Sequence, residues 1–168
     1  MLLFLYDKLM TKHEQECANL DLEFIAFGQI SAKMYWLNDT KRKRVFAIIP
    51  PIKTTSLIYG GIFLLKDYEH NRHKLHAYYN NSMPYTDCTL IEDLYEMRTV
   101  NVVPISFGSL KDLESGKYKK GSPVECFAFL GNPVNKQIQY NIARRYYKLK
   151  GVDKNSFIKL IREQVNER

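Results

Sequence analysis

The sequence predicts a single α+β domain built on a small mixed, mainly antiparallel β-barrel or curled sheet with packed helices. Its 168 residues suffice for one domain with a core and are few for two. Short apolar runs enriched in β-branched and aromatic residues recur as far as residue 130, and turn residues separate them. Polar stretches with helical spacing lie in the middle of the chain and after residue 135.

Strands are predicted where the apolar runs lie. Pro50 and Pro51 end one run, because proline has no N–H group to donate to a neighbouring strand. Gly60 and Gly61 lie within another run and mark either a bulge or a close approach of two backbones. We expect the barrel to contain, in chain order, Leu3–Tyr6, Ala47–Ile49, Leu57–Leu65, Val100–Val103 and Cys126–Leu130.

Helices are predicted in the interior and at the end of the sequence. The segment Lys66–Tyr79 is polar with spaced apolar residues, as in a surface helix. Asn135–Lys150 and Lys154–Val165 have a similar pattern. Residues 1–168 are therefore predicted to form one domain, of which residues 135–168 are a C-terminal helical extension. Turn-rich stretches predict loops at Asn80–Asp93 and Gly108–Gly121.

The net charge is +7, which favours anionic ligands or surfaces through long-range attraction. The densest basic run, residues 41–44, follows Asn-Asp-Thr and is typical of a solvated hairpin tip. Nucleic-acid binding is the alternative for this run, but no helix-turn-helix, zinc-finger or RNP-type motif accompanies it. A basic interaction protein therefore stays open as a function class, and nucleic acid is not the partner that the sequence favours.

Neither a membrane segment nor a cofactor is predicted. No apolar stretch approaches the roughly 20 residues of a membrane span, and the N-terminus lacks signal-peptide features, so we expect a cytoplasmic protein. Three widely spaced cysteines without a CxxC pair favour reduced thiols over disulfides or a zinc site. His70, His73 and His76 recur every third residue, which fits an exposed helix face better than a metal site.

Three motifs carry a resemblance to a known family. Tyr6–Leu9 ends the first predicted strand, Leu75–Tyr79 ends the internal helix, and Tyr95–Val102 has the pattern Tyr-x-Arg-x-x-Val-x-Val. In order and spacing these motifs resemble the gamma-glutamylcyclotransferase-like (AIG2-like) family. Its members have Tyr-Gly-Ser/Thr-Leu, Leu-Asp-x-x-Glu and the same Tyr-x-Arg pattern at these places.

The resemblance implies an activity whose main catalytic group is altered here. Family members cyclise a gamma-glutamyl group to 5-oxoproline and release an amine, with the Glu of the helix motif as general base and then general acid. Tyr79 stands at that place, and a tyrosine with an ordinary pKa of about 10 is a poor base at pH 7. Asp7 replaces the glycine of the first motif, whose backbone N–H groups are implied to bind anionic groups of the substrate.

The resemblance also implies the residues of the site. Tyr79 and Glu96 are the candidate catalytic residues, Glu96 because it is a carboxylate on the Tyr-x-Arg strand. A solvent-facing strand position is the alternative for Glu96. The candidate substrate-binding residues are Tyr6, Asp7, Lys8, Leu9, Tyr59 and Arg98.

Two functions follow from these altered motifs. The first is a domain that keeps a small-molecule pocket, has lost or altered the cyclotransferase chemistry, and binds an amino-acid-like or anionic ligand. The second is an active cyclotransferase that uses a non-standard carboxylate. Fold alone does not decide between them, because function resides in the site.

Overall fold

Five strands close into a barrel in the computed structural model of the chain. The structure describes residues 1–39, 42–52, 54, 56–80, 93–107 and 122–145. The barrel strands are β1 Leu2–Leu5, β2 Leu22–Ser31, β5 Leu57–Leu65, β6 Tyr95–Phe107 and β7 Val124–Gly131. They follow the order β1–β5–β2–β6–β7 around the barrel, and the β1–β7 pair, which is parallel, closes it. All other pairs are antiparallel, so the predicted mixed, mainly antiparallel α+β fold is confirmed.

A separate hairpin consists of β3 Lys33–Asp39 and β4 Arg42–Ile48. The prediction that Ala47–Ile49 belongs to the barrel is wrong. β4, which contains Ala47, pairs only with β3, whereas β2 pairs with both β5 and β6 in the barrel. The hairpin contacts the barrel partly through a side chain, since the backbone N–H of Ala47 donates to the Tyr6 hydroxyl.

The glycine pair in β5 permits a close approach of two strands. A methyl group at Gly60 would clash with the carbonyl oxygen of Leu5 in the adjacent β1. The irregularity in strand pairing lies instead in β2, between Phe24 and Ala26. For Gly60 the close backbone approach is therefore correct, whereas a methyl group at Gly61 would meet the ring of Phe63.

Three α-helices lie in the described part of the chain: α1 Lys12–Cys17, α2 Tyr68–Asn80 and α3 Lys136–Ala143. A short 3-10 helix, Lys8–Met10, precedes α1. The predicted helix Lys66–Tyr79 corresponds to α2, and the start of the predicted C-terminal helix corresponds to α3. None of the described helices is long and apolar enough to cross a membrane. Most of the predicted loops and the second C-terminal helix lie outside the described residues.

Alternate residues of the strands fill two hydrophobic clusters. One takes residues from all five barrel strands, among them Phe4 and Leu130, and forms the barrel interior. The other, the outer cluster, consists of residues on the opposite faces of the strands, among them Leu5 and Phe129, which pack against the helices and the hairpin. Tyr68 at the start of α2 packs partly buried against the outer cluster, and the later residues Leu75 and Tyr79 are buried in it. This packing brings the end of α2 to the end of β1.

Candidate functional site

The turn after β1 has an ordered backbone that its own sequence fixes. Asp7 is extended and caps the 3-10 helix, because its Oδ1 accepts a hydrogen bond from the backbone N–H of Leu9 at 3.0 Å. Leu9 is fully buried in the outer cluster, whereas Lys8 is exposed. The turn therefore presents one partly buried carboxylate and one exposed cation, and its Leu9 N–H donor is already occupied.

Tyr6 joins three strands at the mouth of the barrel. Its buried hydroxyl donates to the carbonyl of Phe129 in β7 at 2.6 Å and accepts from the N–H of Ala47 in β4 at 3.1 Å. Burial raises the pKa of Tyr6 well above its usual value, so the phenol stays neutral. These contacts make Tyr6 a structural anchor beneath the turn.

Tyr79 occupies the last turn of α2 and faces this turn. Its ring stacks on Phe129 with centroids 4.1 Å apart and planes 6° from parallel, and only 2% of the residue is exposed. The Tyr79 hydroxyl donates toward the Asp7 carboxyl. Burial, followed by the negative charge of Asp7, raises the pKa of Tyr79 well above its usual value. Tyr79 is thus a neutral donor at physiological pH.

The surroundings of the Asp7 carboxyl shift its pKa in opposite directions. Burial raises the pKa of Asp7, and the hydrogen bonds from Leu9 and Tyr79 and the charge of Arg44 oppose this shift. The Arg44 guanidinium forms hydrogen bonds with backbone carbonyls. Its Nη2 donates to the carbonyl of Tyr79 at 2.8 Å and to that of Tyr78 at 3.4 Å. The guanidinium also lies over the ring of Tyr95, 4.9 Å from its centroid.

Sequence reasoning missed three residues beside the turn. Arg44 was assigned to a solvated basic run, yet it is half-buried and holds the end of α2. Tyr95 is buried and donates to the carbonyl of Val45 at 2.6 Å, which ties β6 to the hairpin. Tyr78 donates to Glu14 Oε2 at 3.0 Å and joins α2 to α1. Arg44 directly precedes the apolar segment of β4, and that adjacency was the available signal.

The remaining predicted site residues lie apart from this cluster. Glu96 forms an ion pair with Arg98 at 3.6 Å on β6, where the Arg98 side chain is 52% exposed and that of Glu96 is 22% exposed. Within the described residues, no hydrogen bond or ion pair joins Glu96 to Asp7 or Tyr79. Tyr59 is half-buried on β5 against the outer cluster. The structure thus groups Tyr6, Asp7 and Tyr79, with Lys8 and Leu9 adjacent in the chain.

A polar groove of about 540 Å³ lies between α1, the start of β2 and α2. Its lining contains none of the eight predicted site residues. The lining residues are Lys12, Gln15, Glu16, Asn19, Leu20, Asp21, Leu22, Asn71 and Lys74. Within the described part of the chain, no group of three or more His, Cys, Asp and Glu residues is arranged to hold a metal ion.

The comparisons with known proteins show which fold this is. No protein-family model matches the chain, and no curated protein matches its sequence. The structure is similar to that of a gamma-glutamyl cyclotransferase, with a TM-score of 0.53 and 12% identity over 95% of this chain and 85% of the other. It is also similar to the structure of an uncharacterized human protein, with a TM-score of 0.51 and 13% identity over 95% of this chain and 85% of the other. An AIG2-like protein from Mus musculus has a similar structure, with a TM-score of 0.51 and 11% identity over 83% of this chain and 82% of the other.

The chain therefore has a gamma-glutamyl cyclotransferase-like, or AIG2-like, fold. At 11–13% identity, these likenesses establish the fold and carry no activity across to this chain.

Proposed function

We propose that this domain binds a small amino-acid-like ligand at the turn after β1 and has lost, or strongly altered, the cyclotransferase reaction. The observation that carries this proposal is the pair formed by Tyr79 and Asp7. Tyr79 is a buried, neutral phenol at the end of α2, where the resemblance implies a catalytic Glu.

The chemistry of cyclisation explains why the pair argues against the standard reaction. The attacking α-ammonium loses a proton, the amine nitrogen attacks the side-chain carbonyl carbon, and the departing amine gains a proton. A positioned carboxylate can accept the first proton and supply the second. Tyr79, whose pKa burial raises, stays protonated at pH 7, so it can donate a hydrogen bond but is a poor base. Loss of a positioned general base lowers a rate by about 10²–10⁴-fold.

Charges around the turn support a ligand with ionic groups. Lys8 is exposed on the turn, and the chain carries a net charge of +7, which attracts carboxylates. The N–H of Leu9 is already bound by Asp7, so a ligand carboxylate would meet Lys8 rather than this donor. These features favour a small amino-acid-like ligand over a macromolecular anion.

A second candidate function is an altered cyclotransferase in which Asp7 replaces the missing base. The observation that favours it is the raised pKa of a carboxyl group in direct contact with Tyr79. Such a pKa suits proton transfer near neutrality better than that of an ordinary aspartate. Asp7 is a better candidate than Glu96, which is paired with Arg98 on β6.

Calorimetric titration of the purified full chain tests the binding proposal. L-glutamate, L-glutamine and a gamma-glutamyl dipeptide are the probes, and Lys8→Ala is the test variant. We expect binding to the wild type that weakens in Lys8→Ala but not in Lys33→Ala, a change on the β3 hairpin. If none of the three probes binds at millimolar concentration, the proposal is wrong.

A further inference from the structure

The polar groove between α1, the start of β2 and α2 has a buried amide in its lining, and the amide oxygen has no hydrogen-bond partner in the described part of the chain. Gln15 lines the groove and is only 8% exposed. Its Nε2 donates to the carbonyls of Leu9 at 3.0 Å and Met10 at 3.3 Å. Because carbonyls can only accept, these two bonds fix the orientation of the amide and leave Oε1 as its acceptor. Buried polar atoms are rarely unpaired, so Oε1 marks a place for a donor from outside the chain.

The α2 side of the groove presents an ammonium group in a fixed position. Lys74 is half-buried, and its Nζ donates to Asn71 Oδ1 at 3.1 Å. Asn71 is itself held in place, since its Nδ2 donates to the carbonyls of Lys66 at 3.1 Å and Asp67 at 3.2 Å. A lysine ammonium has three N–H donors, and the described residues use one of them. Lys74 therefore has donors left for a ligand in the groove.

Opposite charges in the lining restrict the kind of ligand. Lys12 and Lys74 contribute two positive charges, and the exposed Glu16 and Asp21 contribute two negative ones. Among the described residues, none of these four side chains forms an ion pair. An anionic ligand would meet the carboxylates, and a cationic ligand would meet the ammonium groups. A neutral ligand with hydroxyl groups avoids both penalties, because a hydroxyl can donate to a carboxylate and accept from an ammonium group.

Apolar surface in the groove also fits such a ligand. Leu20 is buried and Leu22 is half-buried, so the C–H groups of a small carbon skeleton can pack against them. The described lining residues include no aromatic side chain on which a nucleobase would stack. The volume of about 540 Å³ lies within the range of about 300–1,000 Å³ that is usual for small-molecule sites.

We infer that this groove is a second ligand site, which binds a neutral polyhydroxylated small molecule of the class of sugars and polyols. Gln15 Oε1 accepts from one ligand hydroxyl, Lys74 donates to another, and the carboxylates of Glu16 and Asp21 accept from the rest. The inference does not rest on the proposed function, since none of the residues predicted for the site at the turn after β1 lines the groove.

Side-chain amide signals in NMR spectra of the isotope-labelled full chain test the inference without a change in sequence. D-glucose and D-sorbitol are the neutral probes, and glucose-6-phosphate and D-glucosamine are the charged ones. We expect at least one neutral probe to shift the Gln15 Nε2 signals saturably at millimolar concentration. Gln139 is the matched control and is expected to stay unchanged, because its Nε2 also donates to a backbone carbonyl but lies on α3, outside the groove.

Variants then assign the binding to the groove. Lys74→Met removes the ammonium group and keeps the length of the side chain, so we expect affinity for the neutral probe to fall about tenfold. Lys136→Met, at an exposed position on α3, is the control and is expected to bind like the wild type. Gln15→Met is expected to abolish binding, but it also removes the donor to two carbonyls, so circular dichroism checks its fold. If Gln15→Met does not fold, Lys74→Met decides.

The outcomes are independent of the amino-acid probes of the proposed function. Saturable shifts at Gln15 that weaken in Lys74→Met support the inference. It is wrong if no neutral probe shifts the Gln15 signals, if a charged probe binds more tightly than both neutral ones, or if Lys74→Met binds like the wild type.

Discussion

The hydroxyl of Tyr79 and the carboxyl of Asp7 interact between the last turn of α2 and the turn after β1. In the pattern that the sequence resembles, the helix carries the acid and the turn carries a residue without a side chain. Here the acid is on the turn and a neutral phenol is on the helix. A carboxylate is therefore present at this place, but a different element supplies it.

Asp7→Asn is expected to make the protein more stable at neutral pH. Burial raises the folded-state pKa of Asp7 above its unfolded value of about 3.9, so the stability linked to this group is present below that value and is lost as the pH rises through the folded-state pKa. Urea unfolding between pH 4 and 8 should show an advantage for Asp7→Asn that grows with pH, while Asp21→Asn should show none. Lower stability of Asp7→Asn at pH 7 would mean that its hydrogen bonds outweigh the penalty of burial.

Tyr6→Phe is expected to destabilise the fold by about 2–4 kcal/mol, because two buried backbone groups lose their partner. These groups are the carbonyl of Phe129 and the N–H of Ala47. The matched control is Tyr59→Phe, whose half-buried ring makes no hydrogen bond within the described residues, and we expect a change within about 0.5 kcal/mol. Chemical denaturation measures both, and equal effects for the two variants would contradict the anchoring role of Tyr6.

Arg44→Lys is expected to reduce stability by about 1–2 kcal/mol although it conserves the charge. A lysine ammonium cannot reproduce the guanidinium plane that bonds the carbonyl of Tyr79 and covers the ring of Tyr95. Arg98→Lys on β6 is the control, since Arg98 is largely exposed and its ion pair is screened by solvent. If Arg44→Lys left the stability unchanged, the sequence-based assignment of Arg44 to a solvated basic run would be correct.

Tyr79→Glu and Asp7→Gly are expected to be coupled. Tyr79→Glu alone places a second carboxylate beside Asp7 and removes the ring stacked on Phe129, so it is expected to be strongly destabilising at pH 7. Addition of Asp7→Gly removes the like charge and is expected to recover part of the loss. A double-mutant cycle by urea unfolding measures this coupling, and additive effects would show that the two positions do not interact.

The sequence was sufficient to predict the fold class because the strand runs and the motif order are local features. The runs in β1, β5, β6 and β7 and the helix α2 were all located. The hairpin was misassigned because an apolar run such as Ala47–Ile49 predicts a strand without indicating its partner. Only pairing between distant segments makes β2 the neighbour of β6.

Within the site, the sequence could indicate which residues stand at the motif positions but not how they meet. The contact between Asp7 and Tyr79 spans more than seventy residues and depends on how α2 packs on β7. Arg44 was missed for a similar reason, because charge density along the chain does not indicate which member of a basic run turns inward. Burial, which sets the pKa directions at this site, is likewise a property of the folded chain.

The release of 5-oxoproline from a panel of gamma-glutamyl amines and peptides by the purified full chain tests the central claim most directly. Because Tyr79 is a poor general base, we expect the release to be very low or absent. In the double variant Asp7→Gly with Tyr79→Glu, any gain of release would show that the scaffold still supports the chemistry. Robust turnover by the wild type would contradict the central claim, and its loss in Asp7→Asn but not in Glu96→Gln would then identify the altered enzyme.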